Sequence, residues 1–248
     1  MINQNNTAIF IPARLAATRL PNKPLEMIND QPMIIHVWEK AMNASLGRVI
    51  IATDSNEIAN IVKNQGGEFV ITTQNHQSGS DRIYEALIES DTDNKIEYII
   101  NLQGDLPNIL TENLKSVLYI LQNDNYNIGT LVSKIESNSD LENKNIVKAV
   151  CDFNENDKIT GAIDFIRSND QSLKNLLFHH IGVYSYRRKS LSDFIMLPQS
   201  SREISLKLEQ LRALDNNMKI GAALIDNLPL GVDTYEDLNL IRKIMEEK

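Results

Sequence analysis

From residue 7 to residue 122 the chain alternates short apolar runs with segments of helix length, and this alternation restricts the fold more than any other feature. The runs "TAIFI" (7–11), "RVIIAT" (48–53), "EFVIT" (68–72) and "IEYIINLQ" (96–103) read as buried strands. Amphipathic stretches at 31–45, 54–67 and 80–90 lie between them, and another follows at 111–122. Asp54 or Ser55 can cap the second of these, and Gly66-Gly67 can end it. Successive strands joined by helices pair in parallel, because the crossover returns the chain to the same end of the sheet. The pattern predicts an α/β protein with a mixed, mostly parallel sheet and helices on both faces.

The second half is less regular. Segments 128–135, 146–153, 179–187 and 219–225 read as strands with short connections. A helix is expected at about 201–215, carrying "LKLEQLRAL", and a closing helix from about Thr234. "NDQSLKN" (169–175) is the best candidate for a flexible loop. With no repeat and no Gly/Ser-rich linker, residues 1–248 are expected to form a single domain. Its sheet core falls mainly in 1–125, and the later part, about 126–225, is inserted over it.

Acidic residues outnumber basic ones 33 to 25, a net charge of −8. That argues against nucleic acid and anionic membrane surfaces as partners, yet leaves room for a local basic pocket that holds a small polyanion. One cysteine, Cys151, excludes an intrachain disulfide and a cysteine metal cluster, and fits a reducing compartment. No secretory signal is visible and no apolar run approaches the roughly 18 residues of a membrane span. A soluble, cytoplasmic protein without membrane insertion is expected.

The segment "IPARLAATRLPNKPL" follows the first strand, where open α/β sheets bind ligands. It holds Arg14, Arg19 and Lys23, contains no glycine, and precedes Glu26, the first carboxylate of the chain. Without glycines it matches neither a dinucleotide-binding loop nor a P-loop, so side-chain cations rather than backbone amides alone are expected to hold any phosphate here. The alternative is three solvated charges. In "NLQGDLPNI", Asp105 stands just past a buried strand and is placed to ligate a metal such as Mg²⁺, or else to cap a turn. Asp233 in "LPLGVDTYEDL" offers a second carboxylate, with Thr234 and Asp237 in a capping-box spacing that leaves a structural role open.

Three further segments carry candidate ligands. "HQSGSDR" supplies Ser78, Gly79 and Arg82. In "HHIGVY", His180 and Tyr184 share one strand face, though a hydrogen-bonded core histidine is the competing reading. In "LEQLRAL", Leu208, Leu211 and Leu214 form a core or dimer stripe, while Glu209, Gln210 and Arg212 lie off it, where most such residues are solvated.

Taken in order, "IPARLAATRLPNKPL", "VIIATDSNEIA", "HQSGSDR", "NLQGDLP", "HIGVYSYR", "LEQLRAL" and "GVDTYEDL" resemble the 3-deoxy-manno-octulosonate (Kdo) cytidylyltransferases, or CMP-Kdo synthetases, from residue 9 to about 240. The resemblance implies a nucleotide-diphospho-sugar-transferase-like, Rossmann-like fold, usually a homodimer. It implies CTP and Kdo as substrates, Mg²⁺ as cofactor, and CMP-Kdo and pyrophosphate as products for lipopolysaccharide biosynthesis. By matching motif, Arg14, Arg19, Lys23, Ser78, Gly79 and Arg82 would hold CTP, with Arg19, Lys23 and Asp105 catalytic. Asp105 and Asp233 would hold the metal, and Arg167, His180, Tyr184, Glu209 and Gln210 the sugar acid. Leu106 departs from the family's "QGDEP", removing a carboxylate beside the metal and leaving a catalytically weak nucleotide-binding relative as an alternative. "IRSNDQSLKN" replaces the family's "SRAPIPW", leaving an 8-amino-Kdo or sialate-type acid open as substrate.

Overall fold

A computed structural model describes residues 1–16 and 19–246, and the chain divides into two compact units, Met1–Lys115 with Pro229–Lys248 and Ser116–Leu228. The first unit carries strands β1 (Thr7–Ala13), β2 (Met27–Ile28), β3 (Gln31–Pro32), β4 (Arg48–Thr53), β5 (Glu68–Ile71) and β6 (Tyr98–Asn101). Helices α1 (Met33–Ala44), α2 (Asn56–Asn64) and α3 (Gly79–Ser90) alternate with them, and α4 (Thr111–Tyr119) follows β6, its second half belonging to the second unit. The long strands stand in the order β5-β4-β1-β6, all parallel. Ser55 caps α2, accepting from the Ile58 amide at 3.3 Å.

Register fixes where a ligand can sit. Phe10 lies opposite Asn101 and Ala13 opposite Thr53, so the segments after β1, β4 and β6 leave the same edge of the sheet. β6 ends at Asn101, short of the expected 103, because the chain turns there toward Gly104 and Asp105.

The second unit carries β7 (Ile128–Lys134), α5 (Asn138–Glu142), β8 (Lys148–Cys151), β9 (Ile159–Ile166), β10 (Leu177–Arg187), α6 (Arg188–Met196), α7 (Ser201–Leu206), α8 (Gln210–Asp215) and β11 (Ile220–Leu224). Its strands run β10-β7-β11-β9-β8, and β10 also pairs with β8, so the five close into a ring that leaves no free edge between them. All these pairings are antiparallel except β11 with β7.

Several features here differ from the sequence expectation. β9 was missed because "ITGAIDFI" is broken by Gly161 and Asp164 and leaves Ile163 60% exposed. The expected helix at 201–215 is two helices, separated at Lys207, whose φ of 54° is left-handed. Residues 171–176, overlapping the loop expected at 169–175, form a 3-10 turn, with Asp170 accepting from the Ser172 amide at 2.9 Å. Arg212 is buried at 2% exposure rather than solvated. Its Nε and Nη2 donate to Glu203 at 2.9 and 2.6 Å, and its guanidinium lies 4.9 Å over the Phe194 ring. With only six residues, α8 is too short for a stripe to define one buried side, and both Gln210 and Arg212 are buried.

From Pro229 the chain belongs again to the first unit and ends in α9 (Tyr235–Glu246). Val232, Leu238 and Ile241 share a buried cluster with Leu20, Ile28 and Met33. Burial of these apolar groups fixes the tail against the loop that follows β1.

Candidate active site

A cavity of about 350 Å³ opens at the carboxyl edge of the first unit's sheet. Arg14, Arg19, Lys23 and Asp105 line it, as do Ser78, Gly79, Arg82 and Asp233. The structure thus brings together the candidate nucleotide and metal ligands of the first unit named from the sequence.

Two carboxylates meet on one ammonium. Lys23 Nζ donates to Asp105 Oδ2 at 2.6 Å and to Asp233 Oδ1 at 3.0 Å, contacts that span 82 and 210 positions of sequence. Arg19 Nη2 lies 3.0 Å from Asp233 Oδ2. Burial alone would depress the Lys23 pKa, but the charges of Asp105 and Asp233 outweigh it and the value stands above the ordinary one. Burial likewise works to raise the Asp233 carboxyl, and Lys23 and Arg19 overcome it and hold it low.

Backbone bonds hold the two acids together. The Val232 amide donates to the Asp105 carbonyl at 3.0 Å, and the Leu230 amide to Asn108 Oδ1 at 2.9 Å. Thr234 and Asp237 cap α9 reciprocally: the Thr234 amide donates to Asp237 Oδ2 at 2.9 Å and the Asp237 amide to Thr234 Oγ1 at 3.2 Å. Because that pair serves the helix, the Asp233 carboxylate is left for the cavity. At Gly104 an added Cβ would stand 3.2 Å from the Pro12 carbonyl oxygen, so the approach of the two loops requires a small residue.

α3 begins at the cavity wall. Ser78 caps it, accepting from the Asp81 amide at 3.1 Å while its own amide donates to Asp81 Oδ2. Arg82 does not offer an exposed charge: 3% exposed, it donates to Thr72 Oγ1 at 2.6 Å and Asp54 Oδ2 at 2.9 Å. It ties α3 to the ends of β4 and β5 and acts as a positioning residue. Arg14 is exposed and, among the described residues, pairs with no carboxylate.

In the second unit the rings of His180 and Tyr184 meet at 5.6 Å, despite a bulge between Ile181 and Tyr184. Tyr184, Glu209 and Gln210 share a cleft of only about 10 Å³, too small for more than one water. Arg167 stands apart from that cleft. Its Nε donates to the Leu206 carbonyl at 2.9 Å and its Nη1 to the carbonyls of Lys144 and Asn145 at 3.3 and 3.4 Å.

A cytidylyltransferase family model matches residues 8–220. The chain is 45% identical over 237 residues to the 3-deoxy-manno-octulosonate cytidylyltransferase of Bartonella tribocorum, covering 96% of this chain and 97% of that protein. It is 44% identical over 247 residues to the protein of the same name from Afipia carboxidovorans, covering 100% of both. The chain belongs to the cytidylyltransferase family. The solved structure of CMP:2-keto-3-deoxy-manno-octonic acid synthetase complexed with CTP shares its fold, with a TM-score of 0.87 at 32% identity over 97% of this chain and 98% of that one. Asp233 lies beyond the stretch matched by the family model, but within a full-length relationship to such cytidylyltransferases.

Sequence reasoning missed several cavity residues of this cytidylyltransferase, Gln103 and His76 among them. Gln103 lines the cavity two positions before Asp105, and its Nε2 donates to Asn101 Oδ1 at 2.9 Å. His76 also lines it, with Nε2 in close contact with Glu85. Position beside a motif residue was the available signal in both cases. Leu106 is 6% exposed and is not part of the cavity wall; its Cδ2 lies 3.9 Å from where a Cβ at Gly231 would stand.

The donor set fits magnesium. Asp105 and Asp233 present hard carboxylate oxygens to a common point, and no group of three or more His, Cys, Asp or Glu side chains that could hold a metal occurs among the described residues. Mg²⁺ takes one or two protein carboxylates and completes its shell with phosphate oxygens and water, so two suffice.

His180 yields a pH prediction. Burial, then the neighbouring His179, lowers its pKa to about 3. Below the ordinary value of 6.5 the unfolded chain takes up a proton that the folded protein refuses, so stability falls as pH drops toward 3. One such group contributes about 1.4 kcal/mol per pH unit. Urea unfolding at pH 7 and pH 5 should show a smaller stability loss for His180→Asn than for the wild type; equal losses would remove His180 as the cause.

Proposed function

We propose that the protein transfers CMP from CTP to the anomeric hydroxyl of Kdo, releasing pyrophosphate and supplying CMP-Kdo for lipopolysaccharide biosynthesis in the cytoplasm. The observation that carries this reading is the meeting of Arg19 and Lys23 with Asp105 and Asp233 in one cavity, in a chain whose full-length relatives are named for this reaction. No described helix is long and apolar enough to cross a membrane.

The hydroxyl oxygen attacks the α-phosphorus in line. A new P–O bond forms as the bond to pyrophosphate breaks, and the hydroxyl proton passes to solvent. Charge placement and alignment supply most of the acceleration in such substitutions. Arg19 and Lys23 neutralise the leaving pyrophosphate. Arg14, the exposed cation at the end of β1, contacts the nucleotide. Ser78 and Gly79 present the start of α3 to it, and Arg82 fixes that helix from behind. Asp105 and Asp233 hold magnesium, which when bound withdraws charge from the phosphates and makes the attacking hydroxyl more acidic. On the second unit, His180, Tyr184, Glu209 and Gln210 are the residues proposed to read the sugar, which requires the cleft of about 10 Å³ at Tyr184, Glu209 and Gln210 to widen first. Arg167 pairs with its carboxylate through Nη2, the terminal nitrogen not bonded to backbone carbonyls.

The test is phosphate release from CTP, Mg²⁺ and inorganic pyrophosphatase across a panel of acids. Kdo is expected to give turnover at least tenfold above 8-amino-Kdo and sialate. No release with Kdo alongside release with another acid would refute the substrate, and tight CTP binding without any turnover would refute the enzyme. A homodimer is also proposed. Its support is the set of exposed apolar side chains on the second unit, with Ile163, Met196 and Ile204 at 60, 79 and 61% exposure.

A further inference from the structure

We infer that Lys23 acts as a stand-in cation that keeps divalent metal out of the free protein, so that metal and nucleotide enter only together, as a metal–triphosphate complex. The inference rests on the proposed reading of Asp105 and Asp233 as metal ligands.

Asp105 Oδ2 and Asp233 Oδ1 both lie within hydrogen-bond distance of Lys23 Nζ, at 2.6 and 3.0 Å. The remaining Asp233 oxygen is taken by Arg19 at 3.0 Å. Two cations and two anions thus form a neutral cluster. A divalent ion entering alone would have to share the point where both carboxylates converge with an ammonium already there. Repulsion between the two, in a part-buried site where screening is weak, opposes that entry.

Lys23 cannot yield by moving its backbone. Its amide donates to the carbonyl of Leu20, a residue of the buried cluster, and Pro24 follows within the 3-10 turn Lys23–Leu25. Only the four-carbon side chain can swing, and it swings only toward a better anion. A triphosphate is such an anion, and a lysine pairs with it as a point charge. When its oxygens take Lys23 and Arg19, Asp105 and Asp233 pass to the metal that the phosphates bring. The partners exchange while the charge stays balanced. Free triphosphate meets the complementary obstacle, since drawing off Lys23 and Arg19 leaves two bare carboxylates beside it.

The experiment follows Mn²⁺ binding to the full chain by electron paramagnetic resonance and calorimetry, with and without a non-hydrolysable CTP analogue. Wild-type protein alone is expected to bind Mn²⁺ at least tenfold more weakly than Lys23→Met alone. Adding the analogue should restore binding to the wild type. Lys23→Arg, which keeps a cation, should stay refractory without nucleotide, and Lys23→Met/Asp105→Asn should lose the gained site. Wild-type protein that binds Mn²⁺ alone as tightly as Lys23→Met, or a Lys23→Met variant that gains no binding, overturns the inference. A gained site that survives Asp105→Asn instead overturns the metal-ligand reading.

Discussion

The Asp105→Ala variant is expected to lose roughly three orders of magnitude in kcat, the size of effect that follows removal of one group aimed at transition-state charge. Among the described residues Asp105 is one of two carboxylates converging on Lys23, so the proposed metal shell, completed by phosphates and water, has little redundancy to absorb its loss. The fold should survive. The backbone contribution of this residue, its carbonyl accepting from the Val232 amide, is untouched by the change. The side chain is 27% exposed, and the Lys23 ammonium it leaves behind keeps Asp233. Steady-state pyrophosphate release and thermal unfolding should therefore separate cleanly, with activity gone and Tm within a few degrees. Activity within tenfold of the wild type would overturn the metal assignment.

The Arg212→Ala variant is expected to act on stability alone. It strands the Glu203 carboxylate, 5% exposed, without the guanidinium that accounts for two of its hydrogen bonds. Breaking one side of a buried ion pair costs about 3–5 kcal/mol, because the remaining charge stays buried and unpaired. The stacking of the guanidinium on Phe194 is lost as well. For a chain of this size a drop in Tm of roughly 10 °C follows. Replacing both partners, Glu203→Leu with Arg212→Met, should recover most of it, since no charge is then left behind. Burial works to raise the Glu203 carboxyl, and Arg212 overcomes it, holding its pKa below the ordinary 4.5. The pair therefore stabilises the protein above that pH and is lost as pH falls through the lowered value, so the gap between Arg212→Ala and wild type should shrink in acid. An unchanged Tm at pH 7 would sink the argument.

Legibility in the sequence followed chain locality. The β1 and β4 runs and the caps of α2 and α9 were readable because each depends on a few adjacent residues: Ser55 bonds three residues ahead, and Thr234 pairs with Asp237. The cavity was readable as a set, because strand ends in a parallel sheet share an edge. What stayed hidden were pairings that only tertiary packing creates. That Lys23 bridges both aspartates, that Arg82 turns away to Asp54, and that Arg212 is buried on Glu203 all depend on residues brought close by the fold. β9 was missed for a related reason. Its two edges are satisfied by β8 and β11, so it needs no apolar run of its own to be held.

One feature of the first unit bears on how the protein is made. Its cavity takes Arg19, Lys23 and Asp105 from the chain before the second unit and Asp233 from the chain after it. On the ribosome the parallel strands β1, β4, β5 and β6 are all synthesised before the second unit is complete. The nascent chain therefore holds the cavity's cations long before it acquires Asp233, the second of the two proposed metal ligands. Until residue 233 clears the exit tunnel, Lys23 has only Asp105 to hold, and a product of interrupted translation carries an incomplete site.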